Sequence, residues 1–161
     1  MTDATVIWRS NAAAQAGFDF RHPLDASNGC RMTPLSRMAG LGDVAVNHVT
    51  IAPGEQGFPH HVHQNEEEWV YVLSGSAVVR LGEEEHSLGP GDFVAFPSGG
   101  DAHSIRNPGT EVLACLMGGQ ILETKVVDMP DLGKRAVWTG KGLSVAPLHA
   151  FEAVQPPGGE K

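Results

Sequence analysis

The chain has 161 residues, 41% of them hydrophobic, a formal net charge of −8 and two cysteines. That length suits one domain with a core large enough to fold alone. The acidic balance excludes a nucleic-acid footprint, which needs a basic stripe, and an electrostatic membrane anchor. Two cysteines are too few for a disulfide scaffold.

Met1-Thr2-Asp3-Ala4 lacks the positive and apolar regions of a secretory leader. No apolar run approaches the ~20 residues that cross a bilayer. The expectation is a cytoplasmic protein in which Cys30 and Cys115 stay free and reduced. The one helix candidate is the Ala-rich stretch Asn11–Ala16, and no segment sustains a 3.6-residue period. Residues 1–40 read as an N-terminal arm containing a polar turn at Asp25-Ala26-Ser27-Asn28-Gly29.

The chain's 20 glycines and 11 prolines act as punctuation, and from residue 41 to 127 they separate short β-rich runs. The turn signals are Pro53-Gly54, Ser74-Gly75, Leu81-Gly82, Pro90-Gly91, Ser98-Gly99-Gly100, Asn107-Pro108-Gly109 and Gly118-Gly119. Between them the predicted strands are Val44–Ala52, Trp69–Leu73, Ala77–Leu81, Phe93–Phe96, Ser104–Arg106, Glu111–Met117 and Ile121–Val127. Strands at this spacing indicate an all-β sandwich or barrel. Glu83-Glu84-Glu85 reads as a solvated hairpin tip. Residues 128–161 form a C-terminal extension whose last six residues, Pro156–Lys161, are expected to be disordered. Trp8 and Trp138 read as staples holding the two extensions against the barrel.

The chemistry concentrates in His61-Val62-His63-Gln64-Asn65-Glu66-Glu67-Glu68 and in His103. On a strand His61 and His63 share a face, roughly 7 Å apart, so their imidazoles can converge on one ion. Glu68 and His103 would complete three nitrogens and one oxygen, a set suited to manganese, iron, nickel or zinc. Strand parity agrees. If Glu68 points inward so do Val70 and Val72, and if His103 points inward so does Ile105, while Ser104 and Arg106 face away. His60 has the opposite parity from His61 and reads as a rim or supporting residue. Glu66 and Glu67 read as a solvated turn, His48 as a structural histidine, and Asn107 as a turn residue ahead of Pro108.

These residues resemble the two motifs of the cupin superfamily. The first appears as Pro53-Gly54, His61-Val62-His63, four residues, Glu68, six residues and Gly75. The second appears as Gly91, five residues, Pro97-Ser98-Gly99, His103 and Asn107. Gly54 lies one residue further from the histidine pair than in the family pattern, and three residues rather than two separate Gly99 from His103. Both departures fall in turn-like stretches, where an added residue costs little. The distance from Glu68 to Gly75 also favours Glu68 over its acidic neighbours as the ligand. Gly42–Asn47 and Val126–Asp131 resemble a bacterial single-cupin family, some of whose members carry a sugar-phosphate-isomerase-like label.

The resemblance implies a double-stranded β-helix, or jelly roll, occupying residues 41–127, and a homodimer assembled through the N-terminal strands. Four protein ligands leave open positions on an ion that accepts six, as a working site requires. The expected function is a metal-dependent enzyme, an isomerase or a dioxygenase, acting on a small oxygen-rich metabolite. Glu68 doubles as ligand and proton carrier. The alternative is a non-catalytic binder or sensor of a sugar or organic acid.

Overall fold

The computed structural model describes residues 6–152 and 154; the leader reading at Met1–Ala4 and the expected disorder at Pro156–Lys161 lie outside the described residues. The strands are β1 Phe18–His22, β2 Asp25–Thr33, β3 Val44–Ile51, β4 Val62–His63, β5 Glu68–Ser74, β6 Ala77–Leu81 and β7 Glu84–Leu88. They continue as β8 Phe93–Phe96, β9 His103–Arg106, β10 Leu113–Gln120, β11 Lys125–Met129, β12 Lys134–Thr139 and β13 Gly142–Pro147. Two short helices, α1 Ser10–Ala16 and α2 Leu35–Met38, precede β1 and β3. The all-β architecture predicted from the strand spacing is borne out, and no helix among the described residues is long and apolar enough to cross a membrane.

One layer is a six-stranded sheet in the order β1-β2-β3-β10-β5-β8. The opposing layer consists of β13-β12-β11-β4 and β7-β6-β9, joined where His61 and His103 form an isolated antiparallel bridge. The core lies between the layers and follows the two-residue alternation of the strands. Val49 and Ile51 of β3, Val70 and Val72 of β5, and Leu113 and Cys115 of β10 meet Val79 of β6 and Ile105 of β9. Burial of each such side chain contributes about 1.5–3 kcal/mol. Cys30 and Cys115 are free and buried, and burial pushes both thiols up to about 12. They are inert packing residues.

Four local readings change. Asp25–Gly29 is the start of β2 rather than a turn, with Gly29 opposite Arg21 and His22 opposite Asp25. Its polar side chains bond one another, Ser27 Oγ and Asn28 Nδ2 both donating to the Asp25 carboxylate, while pairing with β1 decides the backbone. The hairpin tip at Glu83-Glu84-Glu85 shrinks to Gly82 and Glu83, because Glu85 in β7 is held by Arg106 at 3.0 Å. Gly118-Gly119 is not a turn but the interior of β10, which extends past Met117 to Gln120. A Cβ on Gly118 would strike the Ala45 carbonyl and sit 2.6 Å from the Trp69 indole, so glycine here serves close packing. Correspondingly, β11 begins at Lys125 rather than Ile121.

Gly75 shows the other use of glycine. Its φ of +83° and a would-be Cβ 2.8 Å from the Val112 carbonyl exclude any side chain at the β5–β6 turn. The terminal segments also join the structure. Pairing of β2 with β3 adds β1 and β2 to the large sheet, and β12 pairs with β11. Helix α2 is tied to β3 where Val46 N–H donates to Ser36 Oγ at 2.9 Å.

Candidate metal centre

Three imidazoles converge on one carboxylate oxygen. Glu68 Oε2 lies 3.6 Å from His61 Nε2, 3.1 Å from His63 Nε2 and 3.4 Å from His103 Nε2. His61, His63 and Glu68 present donor atoms within 4.8 Å of one another, close enough to hold one ion. His103, the fourth predicted ligand, lies outside that group of three: it reaches the same oxygen at 3.4 Å, but its ring centre is 6.4 Å from that of His63.

Each ring is positioned by a different device. His61 and His103 exchange backbone hydrogen bonds of 2.9 and 2.7 Å, which brings their ring centres to 4.5 Å. His61 Nδ1 pairs with the Pro59 carbonyl at 2.7 Å, turning Nε2 toward Glu68. His103 stacks on Phe96, centre to centre 3.7 Å and nearly parallel. Glu68 is set between two strands, opposite Phe96 of β8 and Gly119 of β10. Val70, Val72 and Ile105 are buried as the parity argument required, and Arg106 lines a second cavity, whereas Ser104 lines both that cavity and the one the cluster opens into.

Sequence reasoning missed the support behind His63. Glu66, assigned to a solvated turn, is 2% exposed. Its Oε1 lies 3.3 Å from His63 Nδ1 and accepts from Lys125 Nζ at 3.0 Å. The partner comes from β11, so nothing near Glu66 in the chain reveals it. Glu67 is exposed as expected. His60 stands neither at the rim nor beside the cluster; it is buried and lines the second cavity, of about 220 Å³, with Arg80 and Asp131. His48 sits opposite Thr33 and Leu116 on the sheet face away from the cluster.

The electrostatics keep the central carboxylate ionised and place a proton on His63, which an incoming ion must displace. Burial alone would raise the Glu68 carboxyl, but hydrogen bonds from His103, His61 and His63 overcome it and hold the group well below the usual carboxylate range. Burial lowers the His63 imidazole, but Glu66 and Glu68 outweigh it and bring the ring to about 9. His103 goes down, because burial outweighs the pull of Glu68. One carboxylate oxygen offers only two lone pairs to three nitrogens, and His103 Nδ1 is buried without a hydrogen-bond partner. The donor set therefore fits an ion better than it fits itself.

The cluster opens into a cavity of about 730 Å³, and Glu68 keeps 30% of its side-chain surface accessible. Residues outside the central barrel supply part of the wall: Phe20 and Met32 from β1 and β2, Arg37 from α2, and Trp138 and Leu143 from β12 and β13. Trp138, read as a staple, is therefore part of the cavity surface, whereas Trp8 is 37% exposed.

A family profile described as a cupin domain matches residues 47–118. A candidate sugar phosphate isomerase from Acidithiobacillus ferrooxidans superposes with a TM-score of 0.89 at 31% identity, over 94% of this chain and 97% of that one. A cupin-superfamily sugar phosphate isomerase from Silicibacter pomeroyi superposes with a TM-score of 0.76 at 25% identity, covering 86% and 89% of the two chains. Tetracenomycin polyketide synthase protein TcmJ of Streptomyces glaucescens is 34% identical over 88 residues, 55% of this chain and 56% of that protein. The shared region thus spans little more than half of TcmJ. Layered all-β topology, motif residues gathered around Glu68, and a near full-length match at 31% identity lead to one assignment: the chain belongs to the cupin superfamily.

Proposed function

We propose that this cupin is a metal-dependent enzyme acting on a small oxygen-rich metabolite, with one divalent ion held by His61, His63, Glu68 and His103. The observation that carries the reading is the convergence of three imidazole nitrogens within 3.6 Å of one carboxylate oxygen at the base of an open cavity. A divalent manganese, iron, nickel or zinc ion bound there supplies Lewis-acid polarisation of an oxygen ligand and acidifies bound water.

The chain supplies the rest. Glu68, held ionised and still accessible, would carry a proton from a bound metabolite on a carboxylate oxygen released from the ion and return it, the movement an isomerisation needs. His61 is locked by the Pro59 carbonyl and His63 by Glu66, so their outer nitrogens stay aimed at the cluster. The isomerase arm rests only on two structural relatives bearing a sugar phosphate isomerase name, and the dioxygenase arm stands beside it. A homodimer belongs to the same reading, since β1 is an edge strand of the large sheet; a monomeric mass in light scattering would exclude it.

The deciding experiment is elemental analysis of the purified protein, coupled to oxygen uptake and product analysis against sugars, diketones and phenols. Manganese or zinc with aldose–ketose conversion and no oxygen uptake selects the isomerase. Iron with substrate-dependent oxygen uptake selects the dioxygenase. Tight binding without turnover selects the non-catalytic binder, and failure to take up any divalent ion overturns the metal reading itself.

Glu66 gives a sharper test of how the centre is built. Outer-sphere partners of metal-ligating histidines are typically worth 10–100-fold in metal affinity. Glu66→Gln keeps the shape but removes the charge facing His63 and Lys125. It is expected to weaken divalent-ion affinity by about tenfold while leaving full occupancy reachable at higher metal concentration. Competition titration against a chelating dye measures it, and an unchanged dissociation constant would remove Glu66 from the site.

A further inference from the structure

The cavity above the cluster has the wrong surface for a sugar phosphate. Its volume of about 730 Å³ is in the range of sites for drug-sized ligands, roughly 300–1,000 Å³. Beyond the cluster the wall is apolar and partly aromatic: Phe20, Met32, Phe58, Trp138 and Leu143. Phe20 and Phe58 are in contact, ring centres 5.6 Å apart, and Phe58 leans on His61 at 6.4 Å. An aromatic surface therefore runs without interruption up to the cluster.

His22 and Ser104 also line the cavity, and of the other polar groups several are committed to the protein. Asn47 Nδ2 donates to the Met117 carbonyl, Gln120 Oε1 accepts from the Glu67 N–H, and Lys125 is held by the buried Glu66. A polyol lying here would leave several hydroxyls without partners, each costing about 1–3 kcal/mol. A phosphate would find little better. Among the described residues, Arg37 is the lining cation with no carboxylate within 4.0 Å, and it stands alone at an exposed position.

We propose that the site takes a flat aromatic metabolite with two adjacent oxygens on one edge and an acidic substituent. The oxygen edge faces the His61–Glu68–His103 cluster, the ring lies against Phe58 and Trp138, and the acidic group reaches toward Arg37. The placement of the oxygen edge rests on the metal reading above; the preference for an aromatic body rests only on the wall. The oxygens of the metabolite are thus confined to the end that can be satisfied, and its carbon skeleton meets a surface that offers dispersion contacts and no hydrogen bonds.

The full chain, loaded with manganese and separately stripped of metal, is titrated with 2,3-dihydroxynaphthalene, 2-naphthoate and ribose 5-phosphate, following tryptophan fluorescence and heat. The diol is expected to bind the loaded protein at least about tenfold more tightly than ribose 5-phosphate, the factor that a single unpaired buried hydroxyl already supplies. Trp138→Ala and Phe58→Ala are each expected to weaken the diol by about tenfold with manganese content unchanged. Arg37→Ala should weaken 2-naphthoate and not the diol. Ribose 5-phosphate binding as tightly as the diol, or aromatic affinity indifferent to both wall substitutions, overturns the proposal. If no manganese is taken up, the metal reading fails by itself. The wall is then judged on 2-naphthoate and the stripped protein, where no binding, or binding unaffected by Trp138→Ala, overturns the proposal as well.

Discussion

His103→Ala is expected to leave the barrel folded and to raise the dissociation constant for a divalent ion by more than about a hundredfold, the upper end of what loss of a mere outer-sphere partner costs. The reasons are geometric. His103 reaches Glu68 Oε2 at 3.4 Å and is the donor that the second motif brings to the cluster. The mutation spares the main chain: the paired amide bonds between positions 61 and 103 involve no side-chain atom. What the fold loses is the stack on Phe96 at 3.7 Å, a contact worth about 0.5–1.5 kcal/mol. His61→Ala makes the companion experiment, because its ring is held independently by the Pro59 carbonyl. Isothermal titration and elemental analysis give the answer, and stoichiometric metal retained at unchanged affinity in both variants would refute this ligand set.

Asn107→Ala is expected to be the most damaging single change away from the cluster. Asn107 is 1% exposed, and its side chain ties its own turn to the end of β3. Nδ2 donates to the carbonyls of Ile51 and Glu111 at 2.9 and 2.8 Å, and Oδ1 accepts from the Gly109 N–H at 2.9 Å. Truncation strands the Ile51 carbonyl in the core and the Gly109 N–H at a half-buried turn, while the Glu111 carbonyl belongs to an exposed residue; each stranded group costs about 1–3 kcal/mol. With partial rescue by water the net loss is expected near 4 kcal/mol, which for a chain of this size lowers Tm by about 10 °C. Thermal unfolding checks it; a fall below about 3 °C would mean the stranded groups find other partners. Because the clamp is far from Glu68 in bonding terms, metal stoichiometry in the folded fraction should stay at the wild-type value.

These two residues mark what was legible in the sequence. Both belong to a spaced motif, and the period of two along a strand assigned His103 and Ile105 to one face and Arg106 to the other without any coordinates. Asn107 was recognised as part of a turn, but its role as a clamp depends on Ile51, distant in sequence. Glu66 was misassigned for the same reason: its partner Lys125 lies in β11, far beyond the motif, and a run of three glutamates looks like a solvated patch until a lysine meets one of them. Gly118 and Gly119 carry the composition of a turn yet lie inside β10, because the constraint on them is the Trp69 indole and the Glu67 backbone rather than local conformation. The cavity wall was hidden most completely. Phe20 and Trp138 come from segments whose mixed polar composition suggested appendages, and only sheet pairing carries them to the site.

The amide bridge between His61 and His103 has a thermodynamic corollary. It joins the two motifs across the seam of one layer, and an open seam separates His103 from His61 and His63. An ion that binds only the closed state would raise the unfolding free energy by RT times the logarithm of one plus the ratio of its free concentration to Kd. Resistance to heat should accordingly climb with the logarithm of free metal concentration, and depletion of the ion would loosen the seam before any other part of the molecule.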